Sequence, residues 1–224
     1  MEKISSGITF LDNLLDGGYD RNIITTIYGP SGSGKTNLCL IAATKIAESG
    51  KKVIFLDTEG GIAVERIKQL SSKYGEILPR MIFFNPVNFA EQSEIFETLR
   101  DLVNERTGLI VVDSISMLYR LELGKREEVY EVNAALGRQI AYLVEIARRK
   151  KIPVLITNQV YSDFEDKDAV KMVGGDLLKY GSKCLIELKR FNNSRGLILR
   201  KHRSLPEGKS IKFMIVNNGI EEVI

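Results

Sequence analysis

Gly29-Pro30-Ser31-Gly32-Ser33-Gly34-Lys35-Thr36 decides the reading of this chain. The stretch fits G-x-x-x-x-G-K-[ST], a turn whose backbone N–H groups converge on phosphate. Its surroundings fit as well. Ile23-Ile24-Thr25-Thr26-Ile27-Tyr28 before it reads as a buried strand, and residues 37–49 after it read as a helix. The glycines permit the tight turn, and the helix N-terminus adds partial positive charge at the same point. On this reading Gly29, Pro30, Ser31, Gly32, Ser33 and Gly34 cradle a nucleotide such as ATP. Lys35 reaches its β- and γ-phosphates, and the Thr36 hydroxyl holds Mg²⁺.

Outward from this turn, apolar runs of strand length alternate with longer helix-patterned segments. The runs cover residues 23–28, 53–56, 81–84, 109–112 and 154–157. Each is nearly all apolar, as strands covered on both faces should be. Between 88 and 104 the apolar residues Phe89, Ile95, Phe96, Leu99, Leu102 and Val103 share one side, and Asn88 with Glu91 forms a capping pair. Between 127 and 151 the stripe Val129, Val132, Leu136, Ile140, Leu143, Ala147 keeps helical spacing. Arg148-Arg149-Lys150-Lys151 then suits the negative end of that helix's dipole. Residues 183–189, 196–200 and 211–216 read as short strands, antiparallel and added at the sheet edge, with turns at Asn192-Asn193 and Pro206-Glu207-Gly208. The expected architecture is a single doubly wound α/β domain over 1–224. Its central sheet is mostly parallel and flanked by helices, with antiparallel strands at the C-terminal edge.

The 224 residues are enough for one such domain with a full core. No apolar run approaches the ~18 residues of a membrane span, and the N-terminus lacks the apolar core of a signal peptide. Both point to the cytoplasm and to no membrane partner. Cys39 and Cys184 read as small apolar packing residues of a reducing compartment. The net charge is only +3, yet residues 183–212 hold nine Lys or Arg against two acids. An excess of that size points to an anionic partner or, as an alternative, to a solvated β-surface.

The ends of the apolar runs carry the remaining chemistry, as ligands of open α/β sheets lie at the C-terminal ends of strands. Asp113 ends the run 109–112 and would bind Mg²⁺ through its water shell, with capping of a helix from Ser114 as the alternative. Asp57-Thr58-Glu59-Gly60-Gly61 follows 53–56. Glu59 there is placed to polarise an attacking water, or is an exposed turn acid. Asn158-Gln159-Val160 follows 154–157, and an uncharged amide there could report on the γ-phosphate.

As a set these segments resemble the RecA-type recombinases, most closely the archaeal RadB family. Residues 6–18, Ser-Gly-Ile-Thr-Phe-Leu-Asp-Asn-Leu-Leu-Asp-Gly-Gly, are similar to the entry motif of that family. Gly29–Thr36 matches its Walker A and Asp113 its Walker B acid. Asp57-Thr58-Glu59-Gly60 resembles the segment with the catalytic glutamate, and Thr157-Asn158-Gln159-Val160 the one with the phosphate-sensing glutamine. Gly174-Gly175 and Leu205-Pro206-Glu207 match later family turns. The resemblance implies a RecA-like ATPase with catalytic Glu59, Lys35 and Gln159, and Arg66 stacked on adenine as a planar cation over a π-face. Lys201 and Arg203 resemble a Lys-x-Arg pair that faces a phosphate, in the same chain or in a neighbouring subunit. It further implies DNA repair and recombination, with partners that include single-stranded or branched DNA, the main archaeal recombinase, a Holliday-junction resolvase and other copies of the chain.

Two departures shape the expected activity. The core motif begins at residue 6, so the helical DNA-binding domain and docking linker of the full recombinase are expected to be missing. Residues 161–176, which would hold the second DNA loop, carry Asp163, Glu165, Asp166, Asp168 and Asp176 against Lys167 and Lys171. That charge is unsuited to phosphates, although Tyr161 and Phe164 would stack on bases. The expectation is therefore an accessory protein with weak ATPase activity and no strand exchange of its own. DNA contact falls to Arg148, Arg149, Lys150 and Lys151, and to the basic residues Lys189, Arg190, Arg195 and Arg200. The alternatives are a nucleotide-switched protein-interaction module and a KaiC-like regulatory ATPase.

Overall fold

A computed structural model describes residues 2–124, 129–162 and 170–223. The chain opens with β1 (Lys3–Ile4), α1 (Thr9–Leu14) and β2 (Tyr19–Asp20). The first core strand β3 (Ile24–Tyr28) runs through the phosphate-binding turn into α2 (Lys35–Glu48). Then come β4 (Lys52–Asp57), α3 (Val64–Leu70), α4 (Tyr74–Ile77), β5 (Met81–Phe84) and α5 (Phe89–Leu102). β6 (Thr107–Asp113), α6 (Met117–Leu123), α7 (Val129–Lys150) and β7 (Val154–Asn158) complete the alternating part. β8 (Val160–Ser162), β9 (Val170–Met172) and α8 (Gly175–Gly181) lead to β10 (Cys184–Arg190), β11 (Arg195–His202), β12 (Ser210–Val216) and β13 (Gly219–Glu222).

Nine of these strands form one sheet in the order β13-β12-β11-β10-β3-β7-β6-β4-β5. The five runs expected as strands are β3 to β7, a parallel block in which crossover helices return the chain to the same edge. Their continuous apolar character has a direct cause. In β4, Val53 and Phe55 pack on one face with Leu38 and Ala42 of α2, whereas Ile54 and Leu56 pack on the other with Phe96 of α5 and Leu143 of α7. β6 does the same with Leu109 and Val111 against Ile110 and Val112. A strand clad by helices on both sides has no position left for a polar residue.

The expected capping pair of the 88–104 helix forms. Asn88 Oδ1 accepts from the Glu91 amide at 2.9 Å, and Glu91 reaches back to the Val87 amide at 3.0 Å. Two orphan donors are satisfied this way, a device worth about 1 kcal/mol.

The C-terminal third differs from its expectation in two respects. β10 is not an antiparallel addition: it lies parallel to β3, with Cys184 opposite Thr25 and Glu187 opposite Tyr28. Its seven residues are buried except at the end, so the two-sided core extends one strand further than the hairpin turns suggested. The antiparallel part of this sheet begins with the pairing of β11 to β10 and continues through β12 and β13. The last of these, Gly219–Glu222, was not expected, because its four residues mix Gly and two acids with little apolar signal. Cys39 and Cys184 are both buried, and burial pushes the Cys184 thiol up to about 12.

Candidate nucleotide site

The register of the sheet lines up the strand ends that the sequence singled out. Tyr28 at the end of β3 stands opposite Asn158 of β7, and Asp57 of β4 stands opposite Asp113 of β6. The phosphate-binding turn, the two acidic strand ends and the Gln159 amide therefore open on one edge of the sheet. A cavity of about 620 Å³ lies there, lined by Gly32, Lys35, Thr36, Glu59 and Gln159 among others.

The turn itself is fixed by close approach. A Cβ on Gly29 would lie 2.4 Å from the carbonyl oxygen of Leu188 in β10, which only glycine tolerates. Gly34, with φ near 104°, is in the left-handed region and lets α2 begin directly at Lys35. Lys35 is buried, and its ammonium donates to the carbonyls of Gly29 and Pro30, each at 3.0 Å. Burial lowers its pKa, opposed by the charges of Glu59 and Asp113. Among the described residues, Ser33 Oγ is buried with no hydrogen-bond partner.

Asp113 is 3% exposed, and burial raises its carboxyl pKa against the hydrogen bonds it accepts from Thr157 and Thr36. The Thr36 hydroxyl and the Asp113 carboxylate thus meet, as a shared Mg²⁺ would require. Strand β6 ends in a cis peptide between Asp113 and Ser114. α6 begins only at Met117, so Asp113 is not the cap of a helix from Ser114.

Glu59 is exposed on the loop after β4, and its carboxylate accepts from Gln159 Nε2 at 2.9 Å. The loop is ordered by a residue that sequence reasoning passed over. Asp57 accepts from the backbone amides of Glu59, Gly60, Gly61 and Ile62 at 2.8–3.3 Å. Its position two residues before a Glu-Gly-Gly turn was the available signal. Thr58 completes the frame: its hydroxyl donates to the Ser114 carbonyl at 2.7 Å and accepts from the Ser114 amide at 2.9 Å.

The remaining expected residues disperse. Arg66 of α3 is tied to Asn37 Oδ1 of α2, which lines the cavity, and to the carbonyls of Val216, Asn217 and Gly219. Lys201 and Arg203 lie at the opposite end of the sheet, where His202 stands against Cys184 at the start of β10. Lys201 donates to the carbonyls of Lys179 and Ser182 and so closes the end of α8. Arg203 bonds Asp20 at 2.8 Å and Asn22 at 3.1 Å. Within one chain neither cation reaches the phosphate-binding turn, so the same-chain alternative for this pair does not hold.

The residues expected at DNA divide between two places. Arg148, Arg149, Lys150 and Lys151 are exposed at the far end of α7, and Arg149 pairs with Glu145. Arg200 pairs with Glu187 and leaves that group. Arg190 and Arg195 sit at the phosphate-binding turn instead, where Arg195 Nε donates to the Gly32 carbonyl at 3.1 Å. Tyr161 is exposed, whereas Asp163, Phe164, Glu165, Asp166, Lys167 and Asp168 lie outside the described residues. No helix among the described residues is long and apolar enough to cross a membrane.

A phosphate-binding turn after a central parallel strand, with acids ending two neighbouring strands and an amide ending a third, defines a P-loop ATPase fold of the RecA branch. The comparisons with known proteins narrow this. The family model described as Rad51 matches residues 1–223. A protein named DNA repair and recombination protein RadB from Methanococcus maripaludis is 44% identical over 94% of this chain and 96% of its own length. The protein of the same name from Methanobrevibacter smithii is 43% identical over 94% and 92%. A crystal structure of the RadB recombinase superposes with a TM-score of 0.83 at 36% identity, covering 99% of this chain and all of the other. The chain belongs to the Rad51 family, within its RadB group.

Proposed function

We propose that this chain is an ATP- and DNA-binding accessory protein of homologous recombination and DNA repair, with weak ATPase activity and no strand exchange of its own. Its family membership and the names of its relatives support recombination and repair. The observation that carries the nucleotide reading is the convergence of Lys35, Thr36, Glu59 and Gln159 on one cavity at the strand ends, with Asp113 hydrogen-bonded to Thr36 behind it. The residues fit Mg²⁺-ATP. Among the described residues, Lys35 is buried with main-chain carbonyls as its hydrogen-bond acceptors and Ser33 Oγ is an orphan, while Gly29 leaves no room for a side chain and Gly34 is in the left-handed region.

Bound Mg²⁺-ATP would supply the γ-phosphoryl group and the charge that polarises it. Lys35 would neutralise its β- and γ-oxygens, and Thr36 and Asp113 would hold the metal and its waters. Glu59 would take the proton of the attacking water, and Gln159 would hold Glu59 in place and sense the γ-phosphate. Arg66 would offer its planar cation to the adenine. Weak turnover follows if Lys201 and Arg203 act only on a neighbouring subunit, because an arginine finger contributes ~10³–10⁵ in rate in other P-loop systems.

DNA contact, single-stranded or branched, is assigned to Arg148, Arg149, Lys150 and Lys151, and the main recombinase is the expected protein partner. Titration with fluorescent single-stranded DNA, with and without ATP at two salt concentrations, tests this. The logarithm of the affinity should fall linearly with the logarithm of the salt concentration. No binding, or binding indifferent to salt, would remove the DNA assignment.

A further inference from the structure

We infer that Arg190 and Arg195, from the β10–β11 hairpin, form the second wall of the nucleotide site and bind the phosphates within the same chain. The inference rests on the nucleotide reading above and extends it to residues that sequence reasoning had given to DNA.

The hairpin is placed there by the parallel pairing of β10 with β3. Because β10 runs alongside β3, its end arrives where the phosphate-binding turn begins, and the Leu188 carbonyl packs against Gly29. β11 then returns from the same point. Arg195 Nε donates to the Gly32 carbonyl at 3.1 Å, and a Cβ on Gly32 would lie 3.3 Å from Arg190 Nη1. Gly34 is covered from the same side by Ile215 and Phe213 of β12 and by the Arg195 stem. Arg195 and Ile215 line the 620 Å³ cavity together with Lys35 and Thr36.

The pairing of the two arginines is the second, independent observation. Arg190 and Arg195 are register partners at the mouth of the hairpin. Directly opposed residues of an antiparallel pair project from the same face, with Cβ atoms about 5 Å apart, and like charges so placed repel. A strand end with two opposed guanidinium groups is unfavourable by itself and becomes favourable around a shared anion. Both groups are directed at a turn made to hold phosphate. Arginine forks match phosphate oxygens in a bidentate manner, which a lysine cannot reproduce. By contrast Lys201 and Arg203 are bound to Lys179, Ser182, Asp20 and Asn22 at the other end of the sheet. Among the described residues, Lys35 and this arginine pair are the cations at the phosphate-binding turn itself, and Arg120 lines the same cavity.

The test is calorimetric titration of the full chain with Mg²⁺-ATP, Mg²⁺-ADP and inorganic tripolyphosphate, on wild type, Arg190→Ala, Arg195→Ala, the double variant and Arg195→Lys. Arg106→Ala, exposed at the opposite end of the sheet, serves as the charge control. Each alanine should weaken ATP and tripolyphosphate roughly 10- to 100-fold, the value of one charge-assisted hydrogen bond. The double variant should lose more, and ADP should suffer less than ATP. Arg195→Lys, which keeps the stem and the charge, should fall between wild type and Arg195→Ala. Arg106→Ala should bind as wild type. A double variant that melts like wild type and binds ATP equally well overturns the inference while leaving the P-loop reading intact. Wild-type protein that binds none of the three ligands overturns both.

Discussion

Gln159 Nε2 lies 2.9 Å from Glu59 Oε1, so the amide at the end of β7 holds the carboxylate on the loop after β4. The two are 100 positions apart in the chain and meet only through the sheet order β7-β6-β4. If Glu59 accepts the proton of the attacking water, Glu59→Gln should retain nucleotide affinity within a few-fold and lose turnover by ~10²–10⁴. Gln159→Ala should also slow turnover, and by less. Single-turnover phosphate release beside a fluorescent-nucleotide titration separates the two effects. Unchanged turnover in Glu59→Gln would refute the role.

Asp57 holds that same loop through four backbone amides. Asp57→Ala should therefore act on turnover through Glu59. A drop in kcat with nearly constant nucleotide affinity is expected, together with faster hydrogen exchange confined to residues 59–62. Equal loss of binding and turnover would mean that Asp57 serves the phosphates directly.

Lys35 is the buried cation of the phosphate-binding turn. Saturating Mg²⁺-ATP at 100 times its dissociation constant should stabilise the wild type by about 2.7 kcal/mol. For a domain of this size that is a rise in Tm of roughly 5–10 °C. Lys35→Ala should show almost none of this shift in a ligand-dependent melt. A full shift in the variant would place the nucleotide elsewhere.

Arg203 bonds Asp20, whose side chain is 1% exposed. Truncating one partner of a buried pair leaves an uncompensated charge, at a cost of about 3–5 kcal/mol. Since Arg203 is 23% exposed the lower end applies. Urea denaturation of Arg203→Ala should show this loss, while nucleotide affinity of a strictly monomeric sample stays constant. A steep fall in per-site turnover in that monomer would contradict the position of Arg203 away from its own turn.

His202 supplies the pH dependence. Its side chain is 2% exposed, with Nε2 3.6 Å from Asp20 Oδ2 and Nδ1 accepting from the Ser204 and Leu205 amides. Burial lowers its pKa, opposed by the Asp20 charge. A depressed folded-state pKa means that the unfolded chain takes up the proton first as pH falls. The stability contributed by neutral His202 is thus present above about pH 6.5 and is lost as pH drops from there toward the folded-state value. Thermal melts between pH 7.5 and 5 should show the wild type losing more stability than His202→Gln. Parallel curves would show that the folded-state pKa of His202 is not depressed.

The parallel core and the heart of the site were legible in the sequence because each rests on a local pattern. A strand covered by helices on both faces must be apolar throughout, which located β3 to β7 to within two residues. The phosphate-binding turn, Asp113, Glu59 and Gln159 all directly follow or interrupt such runs. What failed to show depends on register between distant segments. Nothing in the residues of β10 tells whether they pair parallel with β3 or antiparallel with β11, and they do both. The consequence fell on the arginines. Arg190, Arg195 and Arg200 read as DNA contacts, whereas two face the turn and the third pairs with Glu187. Asp57 was overlooked because a carboxylate that serves only its own loop has no long-range pattern.

Arg195 meets Gly32 although the two are 163 positions apart in the chain. A chain emerging from the ribosome would thus carry its phosphate-binding turn long before the opposing wall exists. The first fifty residues would offer an unfinished cradle, and competence to grip a nucleotide would appear only near the end of synthesis.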